Sequence, residues 1–254
     1  MIALVRAEWT KLFTTKVWLG LLLGAVVMVA GFAVLFTALA GAETDGGPGI
    51  PPVGNPVYEE LALSVGAQAY ILMLILGIIG MTQEYRHRTA TPTFLTTPRR
   101  SHVVLAKLIA YALAAVPFAL VVLAINVLVV MIYAGARGDA PSLSGDNLTT
   151  LAMSFVVLVL FTIIGVGVGA LLRNQVGAIV GALVYLLVVE SIVSAIGAIR
   201  DVYKWLPGGA VQSLTSDFET PGLLAAWQGG LLLLAYGLLA ALLGTLLAVR
   251  RDVV

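Results

Sequence analysis

Few residues in this chain are able to do chemistry, and their placement limits what that chemistry is. Glu59 and Glu60 are adjacent carboxylates, a pair that could share a proton or activate water. Glu190 is a lone acid inside a long apolar run. His87 and His102 are the only two histidines, and both lie in a polar stretch. There is no cysteine, so disulfides, thiolate metal ligands and thiol nucleophiles are excluded. The chain has no Gly-Lys-Ser/Thr phosphate loop. Gly165-Val166-Gly167-Val168-Gly169 is not a dinucleotide fingerprint, because it lies within an apolar run and follows no strand. No metal cluster or nucleophile–histidine pair can be assembled from these groups inside an apolar region. An intramembrane enzyme built on Glu59 and Glu60 is therefore the weakest reading.

The elements that must position these residues are apolar. The composition is 60% hydrophobic and 11% charged over 254 residues, with mean hydropathy +1.05. Soluble domains carry about 25% charged residues. A water-facing surface cannot be built from so few charges, so much of the surface faces lipid. The net charge of +1 gives no argument for nucleic acid. A spanning helix needs about 20 apolar residues. Six stretches qualify, at about 17–39, 61–81, 103–133, 148–172, 176–199 and 223–249. Pro117 is expected to kink the third. The first run is too long for a cleaved signal and lacks its small-residue exit, so it is expected to stay as a span. The expected fold is all-α: one transmembrane domain over residues 1–254, without soluble domain or internal repeat.

Loop charges give the spans a direction. The N-terminal segment, the 82–102 segment with Lys107, the 173–175 turn and the C-terminal tail together hold 11 of the 14 Lys and Arg. The opposite segments hold Arg137, Arg200 and Lys204 and most of the acids. The positive-inside rule then places both termini in the cytoplasm. Trp9, Trp18, Trp205 and Trp227 fall near span ends, where amphipathic rings prefer to sit.

The N-terminal residues 2–15 read as an amphipathic helix lying in the cytoplasmic interface. Ile2, Val5, Trp9, Leu12 and Phe13 share one face, while Arg6, Glu8 and Lys11 lie elsewhere. The Glu84–His102 connection is the most informative stretch. Thr91 before Pro92 resembles an N-cap followed by proline at the first helical position. Pro98 ends that short helix. Phe94 and Leu95 project from it, with Arg86 and Arg88 on one flank and Arg99 and Arg100 on the other. Two readings stand. An apolar tip with charged flanks suits docking to a cytoplasmic partner. The same arginines also suit a loop that sets orientation against anionic lipid.

This order of residues resembles a known family. Glu84, Thr89, Phe94-Leu95, Pro98, Arg99/Arg100 and then Lys107 opening a span is similar to the cytoplasmic loop of type-2 ATP-binding cassette (ABC) exporter permeases. Ala7-Glu8-Trp9-Thr10-Lys11-Leu12 resembles that family's amphipathic connecting helix, with Trp9, Lys11 and Phe13 as its interfacial residues. Trp205-Leu206-Pro207-Gly208-Gly209-Ala210 resembles its outer re-entrant segment. Arg88 is a departure, since many members have glycine before the threonine.

The resemblance implies a coupling helix that fits a groove in a separate cytoplasmic ABC ATPase. It implies two ATPase copies per complex and a second permease chain, identical or different. The chain itself is expected to hold no cofactor, with ATP and Mg on the partner ATPase. The expected location is multi-pass in the cell membrane, the bacterial plasma membrane in particular.

Three polar residues within apolar runs, Glu190, Asn126 and Gln68, are translocation-path candidates. A charge at mid-bilayer costs at least about 2.5–3.5 kcal/mol. Glu190 should therefore face protein or water, either as a path or proton group or as a hydrogen-bonded structural residue. A carrier driven by an ion gradient through Glu190 is the alternative to ATP-driven export. The pairs Gly20/Gly24, Gly165/Gly169 and Gly177/Gly181 allow close helix approach, within one subunit or across a dimer seam.

Overall fold

In the computed structural model, residues 1–42, 49–87, 100–196, 200–216 and 222–250 are described, with the backbone alone at 100, 200 and 248–250. Every regular element among them is helical. α1 is Ile2–Thr14 and α2 is Val17–Ala38. α3 (Pro56–Ser64) runs through a 3-10 turn, Val65–Ala69, into α4 (Tyr70–Arg86). α5 is Arg100–Gly135 and α6 is Asp146–Leu172. α7 (Gln175–Val184) passes through a π turn, Tyr185–Val189, into α8 (Glu190–Ala195). α9 is Arg200–Tyr203, α10 is Pro207–Thr215 and α11 is Ala226–Arg250.

Six of these assemblies are long and apolar enough to cross a membrane. Spans 1 to 6 are α2, α3–α4, α5, α6, α7–α8 and α11. Pro117 lies inside α5 without ending it. Span 2 begins at Pro56, earlier than its hydropathy suggests. Asn55 caps it by accepting from the Val57 N–H at 2.9 Å, and Pro56 occupies the first turn, where no N–H is needed. Span 5 ends at Ala195, short of 199.

Span 4 is the centre of the bundle, packed against spans 2, 3 and 6. In the most apolar stretch of spans 2 and 4, 61% of residues are buried, against 17% in span 1 and 11% in span 5. The latter two therefore form the rim. Glycines set the central contacts. A Cβ at Gly165 would strike the Leu74 carbonyl, and one at Gly77 would strike the Thr162 carbonyl, so spans 2 and 4 touch backbone to backbone. Gly167 meets the Gly237 carbonyl of span 6 in the same way. Gly20 and Gly181 have open space where a side chain would be. Close approach of this kind adds dispersion contacts, which hold helices together where the solvent is itself apolar.

The ends of the bundle differ in charge. One end, here the basic end, holds α1, Arg86, His87 and the turn at Arg173-Asn174 between spans 4 and 5. Arg173 adopts a left-handed conformation with φ 53°, and Asn174 caps α7 by accepting from Gly177 N–H at 2.9 Å. The other end, the acidic end, is tied by side chains. Glu59 accepts from Asn147 at 2.5 Å and from the Ser142 N–H at 3.3 Å. Arg137 donates to the Thr37 and Ala38 carbonyls at 2.7 and 3.2 Å. It thereby satisfies carbonyls that the end of α2 leaves without intrahelical partners.

Candidate functional site

At the basic end, four charged side chains from three elements meet. α1 supplies Glu8 and Lys11, the last turn of span 2 supplies Glu84, and span 3 supplies Lys107. Lys107 Nζ lies 2.6 Å from Glu8 Oε2, 3.1 Å from the Gly80 carbonyl oxygen and 3.5 Å from Glu84 Oε1. Lys11 Nζ lies 2.7 Å from Glu8 Oε1 and 2.6 Å from Glu84 Oε1. Lys107 is fully buried, Glu8 and Glu84 nearly so, and Lys11 keeps 41% of its side chain exposed.

Two ammonium groups and two carboxylates make the cluster neutral. Each Glu8 oxygen serves a different lysine, and Glu84 Oε1 lies within 3.5 Å of both. Charges removed from water are tolerated when paired and hydrogen-bonded. Burial pulls the Lys11 ammonium down in pKa, but the hydrogen bonds and charges of Glu8 and Glu84 outweigh it, so Lys11 stands above its ordinary value near 10.5. The cluster is positioned by packing around it. Gly80 leaves room for the Tyr111 ring, which a side chain there would strike. Trp9, Phe13, Trp18 and Phe118 form a chain of ring contacts at 5.0, 5.2 and 6.0 Å, which holds α1 against spans 1 and 3.

This changes the picture of α1. Val5, Leu12 and Phe13 pack on the bundle, whereas Ile2 stays 87% exposed and Trp9 37% exposed. Glu8, which the helical wheel sets off the apolar face, is 4% exposed, because its partners are inside the bundle. Its place was hidden from pattern reading. The spacing of Glu8 and Lys11 signals only a local pair, and Lys107 is 99 residues away.

Of the docking candidates, Glu84 is in the cluster and Arg86 closes the last turn of α4. Arg88, Thr89, Thr91, Pro92, Phe94, Leu95 and Arg99 lie outside the described residues, and Arg100 is described by its backbone alone. The cluster thus sits where both ends of that connection emerge from the bundle.

The intramembrane polar candidates separate. Asn126 is fully buried and donates its amide to the Leu63 carbonyl at 2.8 Å and the Ala62 carbonyl at 3.3 Å. These carbonyls sit where α3 tightens into its 3-10 turn. Gln68 is exposed and lines a cavity of about 380 Å³ with Phe32, Phe36 and Val65.

Glu190 is 3% exposed and accepts the Gly208 N–H at 2.6 Å. Gly208 lies in the first turn of α10, and a side chain there would strike the carboxylate. α10 starts with Pro207 and buries Pro207, Gly209, Ala210 and Val211 against spans 4 and 6. Its nine residues reach about 13 Å, too short to cross. Trp205 is exposed beside it, and its carbonyl accepts from the Tyr236 hydroxyl at 2.7 Å.

The model of the ABC-2 family transporter protein matches residues 4–189 of this chain. No curated protein matches it. That match begins within α1 and runs through the ion cluster and the first four spans into the fifth, so it covers the whole arrangement in which Glu8, Lys11, Glu84 and Lys107 meet. With its six apolar helices, the chain belongs to the ABC-2 family of transporter proteins, as a multi-pass membrane subunit.

Proposed function

We propose that this chain is the transmembrane subunit of an ATP-driven exporter, with the basic end in the cytoplasm. Members of this family generally work with a cytoplasmic ATPase and often with a second permease. In this reading two ATPase copies bind ATP and Mg, and two permease chains, identical or different, line the path. The subunit's own contribution is mechanical. ATP-driven closure of the ATPases pushes on the connection between spans 2 and 3, and the spans reorient.

The observation that carries the reading is the Glu8–Lys11–Glu84–Lys107 cluster. A push on a connection moves spans only if its ends are fastened to something rigid. Glu84 and Lys107 flank the connection, and Glu8 joins both sides through Lys11 and Lys107. Excess Lys and Arg at this end supports the cytoplasmic assignment.

Co-purification with a co-expressed cytoplasmic ABC ATPase tests the reading. The wild-type chain is expected to retain the ATPase, and Phe94→Asp or deletion of residues 90–95 to release it. Retention by both variants would count against docking through this connection. Transport in proteoliposomes driven by a proton gradient without ATP would instead favour an ion-driven carrier.

A further inference from the structure

The basic end carries two acids among the described residues, Glu8 and Glu84, and both are buried in the ion cluster. Lys107 and Lys11 neutralise them there. What this end turns outward is therefore cationic. Arg6, Lys16 and Arg86 are exposed, and none of them forms an ion pair among the described residues.

α1 turns three faces to three surroundings. Glu8 and Leu12 are buried against the bundle. Ala3, Ala7 and Thr10 make an exposed row of small or polar side chains. Between these faces runs the row Ile2, Arg6, Trp9 and Phe13, spaced by one helical turn at each step. Ile2 and Trp9 on that row are exposed although they are large and apolar.

Span 1 continues the row. Trp9 touches Phe13, and Phe13 touches Trp18 in the first turn of α2, at ring distances of 5.0 and 5.2 Å. Beyond Trp18, span 1 exposes Leu19 and Leu23 on the surface that meets lipid tails. Lys16 is exposed in the turn that joins α1 to this surface. Arg6 and Lys16 thus flank an aromatic pair where an apolar face gives way to a water-facing one.

That layering matches the edge of a bilayer. Indole rings settle at the headgroup level, and an amphipathic helix there gains from both apolar contact and attraction to anionic lipid. The stems of Arg and Lys lie along apolar surface while their charged ends reach a phosphate. A zwitterionic lipid brings its own cation beside its phosphate, so the net attraction belongs to anionic headgroups. Burial of Glu8 removes the one carboxylate of α1 that would oppose it. Ten residues separate Arg6 from Lys16, about 15 Å along a helix, so the two cations meet separate headgroups.

We infer that α1 and the start of span 1 form a binding surface for anionic phospholipid, with Arg6 and Lys16 each on a lipid phosphate and Trp9 between them at the acyl boundary. Binding needs neither ATP nor the ATPase, so it stands apart from the function proposed above.

The test uses the full chain in phosphatidylcholine nanodiscs, with Trp18→Phe, Trp205→Phe and Trp227→Phe leaving Trp9 as the sole indole. Brominated acyl chains quench that indole on contact, and they are supplied on phosphatidylglycerol or on phosphatidylcholine. Circular dichroism confirms equal helix content in every variant compared. At low salt the anionic lipid should be favoured at Trp9 by about fivefold or more, the effect of one nearby cation. The preference should shrink at about 1 M salt, where charges are screened within a few ångströms. Arg6→Gln combined with Lys16→Gln should abolish it, and Arg6→Lys combined with Lys16→Arg should keep it. Equal quenching by the two lipids in the parent chain, or a preference that survives the double glutamine variant, overturns the inference. So does a Trp9 that neither lipid quenches, which would mean that protein covers this face.

Discussion

Glu8 Oε2 and Lys107 Nζ, 99 residues apart in the chain, lie 2.6 Å apart inside the basic end of the bundle. The contact fastens a peripheral helix to span 3, and Lys11 carries it on to Glu84 in span 2. A buried pair of this kind contributes little net stability compared with well-packed apolar residues. Its geometry, three elements joined at one neutral point, is what apolar packing would not provide.

Removing one partner should therefore be worse than removing both. Glu8→Ala leaves the Lys107 ammonium short of its main carboxylate and should destabilise the chain by about 3–5 kcal/mol. Glu8→Leu combined with Lys107→Met should recover most of that loss. Thermal unfolding of the purified chains in one detergent measures both. In the complex, the double variant should still show poor coupling of ATP hydrolysis to transport. Full coupling in a stable double variant would reduce the cluster to a packing device.

The Lys11 contact has a pH window. Its pKa is raised in the fold, so its contribution is fully present below the ordinary value near 10.5 and is lost as pH rises through the higher folded value. The absence of native cysteine allows a single spin label at Ala7, which is exposed. Its mobility should stay constant from neutral pH to about 10 and rise above that range. Lys11→Met should remove the transition. A label that loosens near neutral pH in the parent chain would contradict this assignment.

The glycines divide into two groups. Gly165 and Gly77 meet backbone atoms across the span 2–span 4 seam, which cannot retreat as a flexible side chain can. Gly165→Ala and Gly77→Ala should each cost about 1–3 kcal/mol through overpacking. Gly20 and Gly181 face open space. Alanine there should be neutral or add up to about 1 kcal/mol through helix propensity in the isolated chain. Melting temperatures of the four variants give the comparison. A loss at Gly20 or Gly181 that appears only in the assembled complex would place that glycine in a contact between chains.

Much of this architecture is legible from hydropathy and the placement of Lys and Arg, because a lipid solvent demands long apolar helices and leaves charge at their ends. The Gly165/Gly169 pair is likewise visible as a small-residue repeat. Other features leave no local trace. Gly77 and Gly237 are single glycines whose meaning depends on a neighbour far along the chain. The first turns of span 2 carry Glu59 and Glu60, so hydropathy discounts them although Asn55-Pro56 signals a helix start. Glu8 looks like one polar residue on an amphipathic helix until Lys107 is placed beside it. Glu190 stands out by type alone, whereas its link to Gly208 depends on the path of α10.

Asn126 offers the last test, because its role is to mend a backbone irregularity. Where α3 passes into the 3-10 turn, the Ala62 and Leu63 carbonyls receive the Asn126 amide. Leucine at 126 has the same number and branching of side-chain heavy atoms but no donor, so both carbonyls lose that bond in a buried site. The expected loss is about 1–3 kcal/mol, read as a lowered unfolding temperature. Gln68→Leu, at an exposed position on the cavity beside span 1, should change stability by less than about 0.5 kcal/mol. If instead Asn126→Leu folds as well as the parent but transports poorly, Asn126 belongs to the path and not to the repair of span 2. The opposite result assigns it to the scaffold.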